Sequence, residues 1–146
     1  MNLNSSLYEQ DYYLWLEKTA YLLENRQFTE LDLENLVDEI LDMSRSEKKS
    51  LKSNLIVLLQ HLLKYRYQPT KRTKSWRLTI EEHRYRIKEG LQDSPSLKPF
   101  FQEVLNECYQ QAKKRASIET KLSIDAFPDE SPFTIEQILD SDYLPE

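Results

Sequence analysis

Apolar residues recur every three or four positions through the first 68 residues, a spacing that gathers them on one face of an α-helix. The first such stripe predicts a helix from about Tyr8 to Asn25. Thr29 or Asp32 can cap a second helix, and a third would end before Pro69. The stripe residues are Tyr8, Tyr12, Trp15, Leu16, Thr19, Leu22 and Leu23 in the first helix, Leu33, Leu36, Val37, Ile40 and Leu41 in the second, and Leu51, Leu55, Leu58, Leu59 and Leu62 in the third.

Polar residues interrupt this long pattern in its middle. Ser44, Glu47 and Lys48 do not suit a core, although they follow directly on the stripe of the second helix. Ser44 and Glu47 have the spacing of a capping box, in which each side chain satisfies a free backbone N–H at the start of a helix. The sequence therefore predicts a break or bend near Ser44.

Two more long helices are predicted after the first proline. Ser75 can cap the fourth helix, which stops at Asp93-Ser94-Pro95. The fifth begins near Ser96, with Pro99 tolerated in its first turn. The stripe residues are Trp76, Ile80, His83, Ile87 and Leu91 in the fourth helix, and Leu97, Phe101, Val104, Leu105, Cys108 and Ala112 in the fifth.

The chain has a single glycine, and its first 68 residues contain no proline. Both features favour helices over sheets. Gly90 is the single glycine and no proline precedes Pro69, so the turns of sheets and the phosphate-binding loops lack their usual residues. The predicted fold is all-α: a compact bundle of about five helices with antiparallel neighbours, plus a short C-terminal helix that Thr134 and Gln137 can open. The length suits one domain over 1–146, with a core over about 8–122 and a loop-like tail over 123–146.

Cysteine usage and the absence of long apolar runs bear on the compartment. Cys108 is the single cysteine and cannot form an internal disulfide, which fits a reducing environment. The N-terminal residues do not combine a basic stretch with an apolar run, and the longest apolar cluster, Leu55 to Leu63, is too short to span a bilayer. We expect a cytoplasmic protein without a membrane segment.

Charge is strongly segregated along the chain, although the net charge is only −5. Residues 1–47 contain eleven acids and three bases, which gives −8. Residues 48–80 contain nine bases and no acid, and residues 81–146 contain eight bases and fourteen acids, which gives +9 and −6. This segregation of charge bears on which molecules the protein can associate with, and it gives no information about the fold.

We call residues 48–80 the basic block. Its second half places cations beside aromatic side chains around a helix–helix connection. Cations suit phosphates and aromatic rings suit stacking on bases, so this composition is typical of a nucleic-acid contact. The same block can instead pair with the acidic N-terminal helices, within the chain or across a dimer, or recognise an acidic protein partner. The candidate binding residues are Lys64, Arg66, Lys71, Arg72, Lys74, Trp76 and Arg77.

Two clusters of metal-ligating residue types have simpler structural interpretations. Glu34, Asp38 and Asp42 are four residues apart, as the polar face of an amphipathic helix would be. His61 and His83 would lie level if the helices around the Pro69–Lys74 turn pair antiparallel, yet hydrogen-bonded structural histidines explain them as well. We therefore predict no metal site, no cofactor and no catalytic residue. The buried thiol of Cys108 is expected to act as a small apolar group.

A series of short phrases in a fixed order extends along nearly the whole chain. The phrases are Asp11-Tyr12-Tyr13 with Trp15, Asp32-Leu33-Glu34-Asn35-Leu36 with Glu39-Ile40, Arg45-Ser46-Glu47, His61-Leu62-Leu63-Lys64, Gln68-Pro69, Ser75-Trp76, Thr79-Ile80, Arg84, Ser94-Pro95-Ser96-Leu97, Phe127-Pro128 and Pro132-Phe133-Thr134. In their order and spacing the chain resembles a bacterial family, common in cyanobacteria, known as domain-of-unknown-function family 29.

The resemblance implies an all-α fold and a small bacterial cytosolic protein, and it carries no assigned reaction. His83 stands where the family pattern has glutamine, so a site built on that histidine would not be shared by the family. The positions that the resemblance singles out are His61, Trp76 and Arg84. Trp76 would anchor a packed hairpin, and Arg84 would reach a buried carboxylate such as Glu39.

Three functions from different classes follow from these patterns. The missing catalytic motifs, the charge zoning and the helical composition favour a non-catalytic helical module that binds a protein partner or itself. The alternative is nucleic-acid binding through the basic segment Lys64–Arg77. The third is a metal-dependent enzyme that uses His61, His83 and the neighbouring carboxylates.

Overall fold

The computed structural model describes the backbone of residues 3–146 and the side chains of residues 7–146. The predicted all-α class is confirmed, and residues 3–146 contain no β-strand. The helices are α1 (Leu3–Gln10), α2 (Tyr12–Glu24), α3 (Leu33–Tyr67), α4 (Lys74–Asp93), α5 (Lys98–Thr120) and α6 (Ile135–Leu139).

The chain divides into two compact units, Met1–Ser46 and Glu47–Glu146. The division falls within α3, the longest helix. The single domain predicted for 1–146 stays a prediction, and its first two residues, Met1 and Asn2, lie outside the described residues.

The first predicted helix is two helices, because Asp11 ends one and caps the next. Its φ of −149° is extended rather than helical, and its carboxylate accepts the backbone N–H of Leu14 at 3.1 Å. An aspartate N-cap satisfies a donor that would otherwise be free at the start of a helix. At the other end of α2, Arg26 adopts a left-handed φ of 55° and stops the helix.

The break predicted near Ser44 is wrong, because α3 is one uninterrupted helix of 35 residues. Every residue from 41 to 50 is exposed, so the polar side chains point into water and do not have to leave the helix. The segment contains neither glycine nor proline, and Asp42 pairs with Arg45 one turn later, at 2.7 Å. The polar residues that interrupt the apolar stripe therefore show where the side chains of α3 become exposed, and they do not show where the helix ends.

The first unit buries few apolar side chains. Trp15 and Leu22 are buried in α2, together with Thr19. Of the other residues in the stripe predicted for the first helix, Tyr8 in α1 is half-buried and the rest are exposed. The apolar face predicted for the following helix is largely exposed as well, a correction that concerns Leu33, Val37, Ile40 and Leu41. Periodicity identified the apolar face, but it does not reveal whether another element covers that face.

The second unit has an extensive core. It combines the leucines of α3 with apolar residues from α4, α5 and the C-terminal tail. Proline sets two of the helix ends, because α3 stops before Pro69 and α4 before Pro95, as predicted. The buried residues are Leu51, Leu55, Leu58, Leu59, Leu62, Leu63, Ile80, Ile87, Leu91, Phe101, Val104, Cys108, Tyr109, Ala112, Ala116, Phe127, Phe133 and Ile138.

Two local caps in this unit test the predicted helix starts. The cap of α4 is Thr73 and not Ser75, since the Thr73 hydroxyl accepts the N–H of Trp76 at 3.1 Å. The short helix that Thr134 and Gln137 are predicted to open is confirmed as α6. The two residues form a capping box, in which the side chain of each accepts the backbone N–H of the other.

The tail is fixed to the helices by Arg84 of α4, which is only 3% exposed. Its guanidinium donates to three backbone carbonyls, those of Ile138 at 2.8 Å, Tyr143 at 3.0 Å and Gln137 at 3.3 Å. Two of these carbonyls belong to the last turn of α6, where free acceptors attract a cation. The predicted contact of Arg84 with Glu39 is therefore wrong, because all three bonds run to the tail.

We expect Arg84→Met to destabilise the second unit by about 3 kcal/mol, because three carbonyls, one of them in a buried contact, lose the Arg84 donor while the apolar volume is kept. Native-state hydrogen exchange of the α5 amides measures this loss, and the amides of α6 should exchange fastest of all.

The matched control is Arg86→Met two residues later, where an exposed i,i+4 pair with Glu82 is lost. That change should cost about 0.3 kcal/mol. Equal effects of the two substitutions would show that Arg84 does not hold the tail.

Candidate functional site

Lys64, the first residue of the candidate basic segment, lies inside the second unit. It is 6% exposed, and its Nζ is 2.6 Å from the Oε2 atom of Glu119 on α5. Gln60 donates to the other carboxylate oxygen of Glu119, so the acid is held from two sides. The same Nζ lies 4.6 Å from the centre of the Trp76 ring, a cation–π contact. Lys64 thus joins α3, α4 and α5.

Arg72 is committed to internal contacts in a similar way. Its Nε donates to the carbonyl of Tyr65 at 2.7 Å, and its guanidinium carbon lies 4.2 Å from the centre of the Tyr65 ring. A second nitrogen donates to the carbonyl of Pro145 at 3.3 Å. Arg72 therefore stabilises the turn between α3 and α4 and holds the end of the tail.

Four cations of the candidate segment remain exposed around that turn, namely Arg66, Lys71, Lys74 and Arg77. Arg66 lies 5.7 Å from the ring centre of its neighbour Tyr67. Tyr67 itself packs edge-on against Phe127, with ring centres 5.3 Å apart. The structure thus separates the predicted residues into an exposed cationic group and a group that builds the hairpin, to which Lys64, Arg72 and Trp76 belong.

Among the residues that the structure describes, the basic block forms two ion pairs, and the acid of each pair lies on α5. Lys52 pairs with Glu107 at 2.9 Å, and Lys64 pairs with Glu119. The sequence alone offers the acidic N-terminal helices, within the chain or across a dimer, or an acidic protein as the partner of this block. Charge content along the chain could not identify the partner helix, because that depends on which helices pack together.

The two histidines lie close enough for the charge on His61 to lower the pKa of His83. Burial is the main reason that the pKa of each ring is lowered. The Nδ1–H of His61 donates to the carbonyl of Val57 at 2.9 Å, one turn earlier on α3. Among the side chains that the structure describes, no three His, Cys, Asp or Glu residues form a group that could hold a metal ion.

Cys108 is fully buried in α5, as predicted. Burial raises the pKa of its thiol to about 11, and its Sγ contacts the carbonyl of Lys52 at 3.8 Å. A nucleophilic cysteine requires the thiolate and access to a substrate. The side chain therefore serves as a small apolar group of the core.

An acid–phenol cluster in the first unit escaped the sequence interpretation. The hydroxyls of Tyr8 and Tyr12 both donate to the Glu39 carboxylate, the second at 2.5 Å. These bonds raise the pKa of Tyr8 to about 12 and lower the pKa of Glu39. Trp15 packs on both rings, with centres 4.8 and 6.2 Å away. The sequence offered only a weak hint, an acid on the flank of an apolar stripe.

An open cleft of about 590 Å³ extends along the outer side of α4 in the second unit. Leu78 and Tyr85 provide its exposed apolar surface, and Glu81 and Glu82 lie beside them. Lys88 at its rim donates to the hydroxyl of Ser141 at 2.9 Å. The cleft has the size of a ligand pocket, but its charged lining is solvated and its lysine is already engaged.

Comparison with protein families matches residues 7–144 to the family described as "Domain of unknown function DUF29". No curated protein matches the chain. No solved structure matches it either. None of the helices that the structure describes combines the length and the apolarity needed to cross a bilayer.

We expect Glu119→Gln to destabilise the second unit by about 1.5 kcal/mol, because it leaves the buried ammonium of Lys64 without its counter-charge. The estimate is below that for a fully buried pair, since Glu119 is itself partly exposed. Hydrogen exchange of the α4 and α5 amides reports the loss.

Glu107→Gln is the matched control, because it removes the exposed pair with Lys52 from the same helix. It should change the free energy of unfolding far less than Glu119→Gln does. If Glu119→Gln is as mild as this control, Lys64 does not depend on Glu119.

Proposed function

Because the chain belongs to the DUF29 family, whose description assigns no activity, we propose its function from its surfaces: a non-catalytic helical module that binds a protein partner or a second copy of itself. The observation that carries this proposal is the exposed apolar surface of the first unit. Monomeric proteins rarely leave such surface in water without a use for it.

Apolar exposure is concentrated in the first unit. Only Trp15 and Leu22 are buried there among the large apolar side chains that the structure describes, and twelve are exposed. The exposed residues are Tyr12, Tyr13, Leu14, Leu16, Tyr21, Leu23, Phe28, Leu33, Val37, Ile40, Leu41 and Met43.

Four of these side chains form a continuous stripe on α3, which we call the α3 stripe: Leu33, Val37, Ile40 and Leu41. Since each residue turns the helix by about 100°, the four lie within an arc of about 100°. They are 45–59% exposed. The stripe has the spacing of anchors in helix-to-helix recognition, in which side chains at i, i+4 and i+7 meet an apolar partner.

Energetics support a partner for this surface. A unit of about 46 residues is near the size at which a single core becomes marginal. Burying roughly 400 Å² of the stripe would contribute about 10 kcal/mol before the costs of association are subtracted. A partner would therefore add the apolar burial that the first unit lacks.

Replacing Val37 and Ile40 together by Ser tests the proposal, because it removes the centre of the α3 stripe without touching the core. The wild-type chain should sediment as a dimer, or enrich one protein from nuclease-treated lysate at moderate salt. The double variant should be monomeric and enrich nothing, with unchanged circular dichroism.

Ile118→Ser is the control, an equally apolar and 79% exposed position in the second unit. It should leave association unchanged. A wild-type chain that is monomeric and captures no protein would contradict the proposed function.

Nucleic-acid binding is the second candidate, and a separate observation favours it. Arg66, Lys71, Lys74 and Arg77 are all exposed around the single turn between α3 and α4. Residues 48–80 contain no acid that would offset them locally. Cations grouped in this way can contact successive phosphates, and such binding releases counterions.

Replacement of Lys71, Lys74 and Arg77 by Ala tests this second candidate. Binding of the wild-type chain to a short duplex should weaken steeply with salt, and the triple variant should lower the slope by about 3 in log–log form. Replacement of Lys98, Lys114 and Arg115, all exposed elsewhere in the second unit, makes the same change in charge and should leave the slope intact. No binding at low ionic strength would exclude this function.

The cytoplasmic location and the bacterial origin stay predictions. The first rests on cysteine usage, and the second on the family resemblance. Both fit an interaction module that works in a reducing compartment.

A further inference from the structure

We propose that the α3 stripe binds a cationic amphipathic helix of another protein, selected by the row of carboxylates along one edge of the stripe. This inference rests on the proposed function and names the chemistry of its partner.

The carboxylate row consists of Glu34, Asp38 and Asp42, each next in sequence to an apolar residue of the stripe. On a helix, Glu34 and Asp38 lie one turn apart on a single side of the stripe. Asp42 continues the row toward the flank of Glu39, where its charge also raises the pKa of Tyr8. All three are exposed. Asp42 is paired with Arg45, but both side chains are more than 60% exposed, so water and a competing cation can replace that bond.

The opposite flank of α3 is already occupied within the first unit. Glu39 lies on that flank and accepts hydrogen bonds from Tyr8 and Tyr12. The α3 stripe is therefore bordered on one side by Glu34 and Asp38, while the phenols occupy the flank that carries Glu39. A partner helix meets negative charge on one defined edge of the stripe. This charge selects a cationic partner and also fixes the orientation in which that helix binds.

Net charge disfavours the simplest alternative, the pairing of two first units through their α3 stripes. Residues 1–46 contain ten acids and three bases, which gives −7. Two such surfaces would approach with like charge, and desolvating acids against acids opposes association. A helix with lysine or arginine beside its apolar residues is attracted by the same field.

Dimensions set the length of the partner. The stripe and its acid edge extend from residue 33 to residue 42, about 15 Å of helix. A partner helix of roughly twelve residues covers this distance, with apolar residues at positions i, i+3, i+4 and i+7 and cations beside them.

The probe is a synthetic peptide of leucine and lysine with leucine at that spacing, used with the full-length chain and followed by fluorescence anisotropy. Two further peptides accompany it, one with glutamate in place of lysine and one with the same leucine and lysine content in scrambled order. The patterned lysine peptide should bind roughly tenfold more tightly than either, and its affinity should fall with salt.

Two pairs of substitutions locate the effect. Glu34→Gln with Asp38→Asn should weaken the patterned lysine peptide roughly fivefold. Glu103→Gln with Glu130→Gln neutralises two exposed acids of the second unit and should change nothing. Circular dichroism confirms that each variant keeps its helices.

Equal binding of the lysine and glutamate peptides, or of the patterned and scrambled ones, would overturn the cationic partner. Equal weakening by the two pairs of substitutions would overturn it too. These results leave the proposed function to be decided by the dimer and capture experiment with the Val37 and Ile40 variant. Docking on the stripe can therefore stand when the cationic partner fails.

Discussion

The leucines in the second half of α3 determine how the second unit is built. Leu55, Leu58, Leu59, Leu62 and Leu63 are fully buried and cover an arc of about 140°, wider than one neighbouring helix can cover. Apolar residues of α4 and α5 belong to the same core, and the tail contributes the aromatic and aliphatic residues that complete it. The helix ends, the caps and the buried polar contacts of this unit hold the other elements around these leucines.

Several cationic side chains in the second unit connect one secondary-structure element to another. Arg84 and Arg72 bind carbonyls of the tail, and Lys64 connects an acid of α5 to the ring of Trp76. Each cation connects elements that are distant in sequence. This explains why a basic segment with interleaved aromatic residues can arise without any ligand, and why only its exposed cations support a binding function.

Local features of the chain could be predicted from the sequence, and long-range ones could not. The helix ends before Pro69 and Pro95 and the short helix opened by Thr134 depend on neighbouring residues only, and all three are confirmed. The break at Ser44 was wrong because a polar stretch is compatible with an exposed helix. The partner of Arg84 depended on how the tail folds back, which no local pattern encodes. The same limit applies to the α3 stripe: its residues could be identified, but its exposure could not.

The exposed middle of α3 has a consequence for the thermodynamics of the whole chain. From residue 41 to residue 50 no side chain is buried, so backbone hydrogen bonds and intrinsic propensity hold this stretch as helix. Packing in this stretch cannot transmit the unfolding of one unit to the other. A melting temperature for the whole chain therefore describes its stability only if unfolding is two-state, which amide exchange measured separately in α2 and α5 would reveal.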